Sequence, residues 1–198
     1  GVFADALDLP AGSRPSCVKI VDMDNDEFMD IVAGYRGAEG ARDAGSIAIF
    51  YQDPGRPGTF AAPVSYGLAC EATDLDAGDL NSDGLPDIAV AVRCAGAGAI
   101  QLFFQDHGAS RSYAPAARLP CEEVPFSLKI GDLDQDGRSD MAVSDGDWVG
   151  FYQRGAIPGD FPDRAVILKS ELSYGGGGSG SGSGGAEGGG CFIGAVAR

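Results

Sequence analysis

The chain has 198 residues, 44% of them hydrophobic, enough for one domain or a short array of small repeats with a real core, and too many for wholesale disorder. Its 29 acidic residues against 14 Lys and Arg give a formal charge of −15, a balance that opposes nucleic acid, whose phosphates need clustered Lys and Arg, and suits cations. One histidine and no CxxC pairing leave no basis for zinc or haem, and no run approaches the ~20 apolar residues of a membrane span.

The chain starts at Gly1 with no leader sequence, as expected if a secretory leader has been removed. Residues 1–15 contain FADALDLP, read as a lone outer strand. The first repeat, about 16–68, runs VKIV, an acidic loop, IVAGY, IAIFYQ, a Gly/Pro-rich turn and FAAPVSY. The second, about 69–120, runs LDAG, an acidic loop, IAVAV, IQLFFQ and YAPAARL. The third, about 121–170, runs LKIG, an acidic loop, MAVSD, WVGFYQ and FPDRAVIL. The Gly/Ser-rich stretch 175–190 then reads as a flexible linker, and 191–198, CFIGAVAR, as an apolar tail.

Each repeat offers four short segments separated by turn chemistry, which predicts an all-β fold of antiparallel meanders over 1–174. A single meander buries one face, so neighbours must stack on it, as the blades of a propeller do. Three blades are fewer than a propeller usually has. FADALDLP matches the fourth segment of a repeat that does not precede it, so it is expected to complete another blade, here or in a second subunit.

The acidic loops are Asp22-Met-Asp24-Asn-Asp26-Glu27-Phe-Met-Asp30, Asp79-Leu-Asn81-Ser-Asp83-Gly84-Leu-Pro-Asp87 and Asp132-Leu-Asp134-Gln-Asp136-Gly137-Arg-Ser-Asp140. This pattern, hydrophobic-x-hydrophobic-x-D-x-[DN]-x-D-G-x-x-D-hydrophobic, resembles the FG-GAP/VCBS repeat of integrin-type β-propellers and many secreted bacterial proteins, over roughly residues 3–170. The resemblance implies four-stranded blades and calcium in the loop between the first two strands of each. The tail resembles the start of a CFI-box, which leans bacterial.

The residues themselves fit that cation. Calcium takes six to eight oxygens at about 2.3–2.6 Å in a flexible shell, and oxygens at positions 1, 3 and 5 of a tight loop can converge on it, with a carbonyl near 7 and a carboxylate at 9. Glycine at position 6 permits the sharp turn, a rule that Gly84 and Gly137 obey and Glu27 breaks. The third loop is the cleanest match, the second has Asn81 for an acid, and the first either strains at Glu27 or gains an oxygen from it. Two to three Ca2+ ions are expected; three would bring −15 to −9 and relieve the repulsion among eleven closely spaced aspartates. The alternative is Asp-rich turns that bond their own backbone.

The five cysteines are Cys17, Cys70, Cys94, Cys121 and Cys191, a usage that suggests an oxidising compartment, or else buried reduced thiols. Adjacent antiparallel strands bring Cys70 and Cys94 to one edge, so they are the first pair; Cys17 and Cys121 are the second if the blades close up. His107 lies in a polar turn and Trp148 in a core segment, so no catalytic group stands out and no enzyme is expected. The reading is a secreted, calcium-binding structural or adhesive repeat protein, with self-association into an oligomer or filament through its termini. A module that binds a glycan or protein is the alternative, and a hydrolase comes third.

Overall fold

In the computed structural model, the described residues are 7–9, 12–38, 45–109, 111–121, 123–145, 148–154, 161 and 164–169; they form twelve strands and no helix. Blade 1 contains β1 (Pro15–Val21), β2 (Asp30–Tyr35), β3 (Ser46–Phe50) and β4 (Val64–Gly67). Blade 2 contains β5 (Glu71–Gly78), β6 (Asp87–Cys94), β7 (Ala97–Gln105) and β8 (Tyr113–Cys121). Blade 3 contains β9 (Pro125–Gly131), β10 (Asp140–Asp145), β11 (Trp148–Tyr152) and β12 (Arg164–Lys169). Every sheet is a meander in sequence order with antiparallel pairing throughout, as the segments predict. The Gly/Ser linker, the CFI-like tail with Cys191, the Trp148 side chain and most of the N-terminal stretch lie outside the described residues.

The cores lie between blades rather than within them. Met23, Val32, Ile47 and Ile49 of blade 1 close on Leu75, Ile88, Val90 and Phe103 of blade 2. Leu80, Ala89, Ile100 and Leu102 of blade 2 close on Leu128, Met141, Val143 and Tyr152 of blade 3. Blade 2 is covered on both sides, and its second strand shows it: Asp87 to Val92 are buried without interruption. A strand sandwiched between two layers reads as a continuous apolar run, not as an alternation.

The first strands of the blades lie side by side, β1 next to β5 and β5 next to β9. Each is an edge strand with a free row of N–H groups, which must find acceptors if water is excluded. Strand β5 supplies them with carboxylates: Leu128 N–H donates to Asp74 Oδ2 at 2.9 Å and Ile130 N–H to Asp76 Oδ2 at 2.9 Å. On the other side Asp76 Oδ1 pairs with Lys19 Nζ at 2.5 Å. Asp76 is 2% exposed and thus serves two interfaces at once.

Two sequence alignments change. The aromatic-Gln endings of the three repeats do not superpose: Ile31 pairs with Phe50 and Ile88 with Phe103, but Met141 pairs with Tyr152. Arg154, not Gln153, therefore occupies the place of Gln52 and Gln105. The cysteines also sort differently. Cys70 and Cys94 are bonded, with Cα atoms 5.0 Å apart. Cys17 and Cys121 are not bonded to each other, because Cys17 packs on the core between blades 1 and 2 and Cys121 in the core between blades 2 and 3.

Candidate functional site

The acidic loops are the turns joining β1 to β2, β5 to β6 and β9 to β10. All three share one backbone course. Position 4 is left-handed in each, at Asn25 (φ 58), Ser82 (φ 60) and Gln135 (φ 61), and so is position 6, at Glu27 (φ 73), Gly84 (φ 83) and Gly137 (φ 82). The position-1 aspartate holds that course. Asp22, Asp79 and Asp132 each accept the N–H groups of positions 5 and 6, at 2.8–3.1 Å in the first loop, for example. The position-5 aspartates accept the N–H of position 7, at 2.8–2.9 Å.

A Cβ placed on Gly84 or Gly137 would meet nothing within 4 Å, so the position demands the dihedral angle rather than space. Glu27 accepts that angle, which costs an L-residue about 1–2 kcal/mol, partly offset by glycine's greater freedom in the unfolded chain. Glu27→Gly is expected to stabilise the metal-free protein by up to about 1 kcal/mol in urea denaturation. A loss of stability would mean that the Glu27 side chain contributes more than its backbone costs.

Position 9 proves to be a buried tether. Asp30, Asp87 and Asp140 are 0%, 0% and 1% exposed. One oxygen accepts the N–H of loop position 2 (Met23, Leu80, Leu133) and the other the N–H at the end of the third strand (Gln52, Gln105, Arg154), all at 2.8–3.1 Å. Burial pushes the Asp30 carboxyl above its ordinary range and the Asp87 carboxyl up to about 6, against the pull of those N–H groups.

Oxygens of Asp22, Asp24 and Asp26 lie within 4.8 Å of one another, and so do those of Asp132, Asp134 and Asp136. In the second loop the Asn81 carbonyl accepts Asp83 N–H at 2.9 Å and its amide donates to Asp83 Oδ2 at 3.0 Å, leaving Asp79 and Asp83 as the carboxylates above the buried Asp87. The three loops differ in what surrounds them. Asp136 is paired with Arg138, which holds its carboxyl below the ordinary range, and Asp134 with Gln153. Asp24, by contrast, has a side chain only 6% exposed. Its Oδ2 accepts from Arg111, while its Oδ1 is buried without a hydrogen-bond partner.

Sequence reasoning missed the groups that reach a loop from elsewhere. Arg111 of blade 2 touches Asp24, and Arg154 of blade 3 donates to Ser82 Oγ at 2.6 Å. Asn25 donates to Gly84 O at 3.0 Å and so links loop 1 to loop 2. His107 is exposed, as its polar turn suggests, and stands 3.7 Å from Asp83. Among the described residues, a cavity of about 330 Å³ beside Arg111 and Arg56 has one acid, Asp53, and another of about 380 Å³ beside Arg93 has one acid, Glu71. Neither brings together the two carboxyls that glycoside hydrolysis uses.

The donor set suits a hard cation. It consists of carboxylate and amide oxygens on a tight loop, the ligands calcium takes, with no imidazole or thiolate. The orphaned Asp24 Oδ1 meets the same test, since a buried carboxylate oxygen without a partner is costly until a cation or donor faces it. A family model described as FG-GAP-like repeat matches residues 22–90 and 79–143, more than half of the chain. No curated protein matches the chain significantly.

Proposed function

The chain belongs to the FG-GAP-like repeat family, and from that premise we propose that it is an extracellular structural or adhesive module, braced by calcium in its acidic loops and associating with its own copies. Repeats of this family suggest an extracellular adhesive or structural role and are typically non-enzymatic. The Cys70–Cys94 disulfide is compatible with that compartment. No helix among the described residues is long and apolar enough to cross a membrane.

The observation that carries the calcium reading is Asp24: a side chain 6% exposed, beside Asp22 and Asp26, with one oxygen unpartnered. Asp22, Asp24 and Asp26 would hold one ion and Asp132, Asp134 and Asp136 another, with Asp79, Asn81 and Asp83 as a weaker third set. The position-9 aspartates Asp30, Asp87 and Asp140 sit beneath, adding charge and a remaining lone pair to each. The ion supplies positive charge where the aspartates crowd, and the residues supply a preformed loop that the unfolded chain lacks.

Self-association is favoured by Val18 and Ile20 of β1, each 66% exposed. Counted from the loop aspartate, they stand where β5 has Leu75 and Ala77 and β9 has Leu128 and Ile130, all packed on interblade cores. They share a face turned away from blade 2 with Ala33, Tyr35, Ala48 and Phe50, which are themselves buried in a cluster with Leu9 and Phe60, so Val18 and Ile20 are the exposed apolar part of that face.

Thermal melts and light scattering in calcium and in EGTA test both parts. A site filled at 100 times its Kd adds about 2.7 kcal/mol, so calcium is expected to raise the Tm by several degrees, and Asp136→Ala to remove part of that rise. Equal Tm values in calcium and EGTA would sink the calcium reading. A monomer by scattering at all concentrations would sink self-association and favour a module that binds a foreign glycan or protein.

A further inference from the structure

Resting on the calcium reading, we propose that the first acidic loop is a site built across two blades, with Arg111 of blade 2 as the positioning residue for the ligand Asp24 of blade 1. Arg111 lies 87 residues from Asp24, in the turn between β7 and β8, yet its Nε and Nη2 lie 2.6 and 2.5 Å from Asp24 Oδ2. Its guanidinium carbon also lies 4.4 Å over the Tyr51 ring. Its own backbone is left-handed, φ 66, an uncommon course for a residue other than glycine. Salt bridge and ring together leave the guanidinium little choice of place.

What the pairing does to Asp24 is specific. Both donors fall on one oxygen, so the carboxylate is oriented while the second oxygen stays buried and unpartnered next to Asp22 and Asp26. That is the division of labour of a ligating carboxylate: one oxygen held by a neighbour, one left for the cation. The other loops are made differently. Arg154 touches the second loop at Ser82, not at an acid, and in the third loop the partners of Asp134 and Asp136 come from blade 3 itself. The first site therefore depends on interblade contact, and the third does not.

Calcium titration calorimetry of the full chain tests this, with Asp24→Asn identifying the binding step that belongs to the first loop. Arg111→Met is expected to weaken that step 10- to 100-fold and leave the third-loop step unchanged. Arg111→Lys keeps the charge but loses the two-donor geometry, and is expected to fall between them. A purely structural clamp would lower the metal-free Tm of both variants and leave the affinity of the first step alone. With wild-type binding intact, an unchanged or tighter first step in Arg111→Met overturns the assignment alone, the tighter case marking the guanidinium as a competitor of the ion. If the wild-type chain takes up no calcium, the calcium reading falls and this assignment falls with it.

Discussion

Asp87→Ala is expected to destabilise the fold by several kcal/mol, whether or not calcium is present. The Asp87 carboxylate is fully buried and accepts two buried N–H groups, of Leu80 and of Gln105, each at 2.9 Å. Deleting it orphans both donors at about 1–3 kcal/mol each, so a loss of about 2–6 kcal/mol is expected, against the 5–15 kcal/mol typical of a domain. Urea denaturation in EGTA measures it; a change below about 1 kcal/mol would mean that the two N–H groups find other partners. The same carboxyl sets a pH dependence. Its folded pKa, about 6, lies above the ordinary value of 3.8, because desolvation outweighs the two N–H groups and Asp83 and Asp79 add to the rise. A group raised on folding stabilises fully below its unfolded pKa, and that contribution is lost as pH climbs through the folded value. In EGTA the protein is thus expected to lose on the order of 1 kcal/mol from this group between pH 5 and 7.5. Asp30, raised by burial in the same way, acts in the same direction.

The second large effect separates loops of like chemistry. Position 2 of each loop is Met23, Leu80 or Leu133, at 0%, 0% and 53% exposure. Met23 packs in the core between blades 1 and 2 and Leu80 in the core between blades 2 and 3, so each loop hands one side chain forward to the next interface. Leu80→Ala opens a cavity there and is expected to cost about 2–5 kcal/mol. Leu133→Ala is expected to change stability by no more than about 0.5 kcal/mol, as an exposed position does. Paired denaturation curves decide the matter, and equal costs would refute the forward packing.

Much of this architecture is legible because its signal repeats. The acidic loops recur with the apolar strands in register, which locates the hairpin turns, and the Cys70–Cys94 pair follows from adjacent strand ends. The loop aspartates are equally visible as a set, yet their division of labour is not. A carboxylate at position 9 that binds two N–H groups and one at position 3 that binds an arginine are the same letter in the sequence. Strand β5 hides its role for a similar reason. Its LDAG reads as an ordinary alternation, while Asp74 and Asp76 cap the backbone of β9, 54 residues on. Arg111 carries no local signal at all, since it sits in a polar turn whose partner lies 87 residues away. The FYQ ending of the third repeat misleads by one residue, because composition matches there while pairing does not.

Since the interblade cores among the described residues join successive blades, 1 to 2 and 2 to 3, through corresponding strands, the number of blades is a free variable of this design. A repeat inserted between blades 1 and 2 would bring one more copy of an interface that already exists and would leave the others untouched. Stability would then grow by a constant increment per unit, as in a one-dimensional chain with nearest-neighbour coupling. Lengthening or shortening such a protein by whole repeats is a small step for its folding, and insertions of any other length are not.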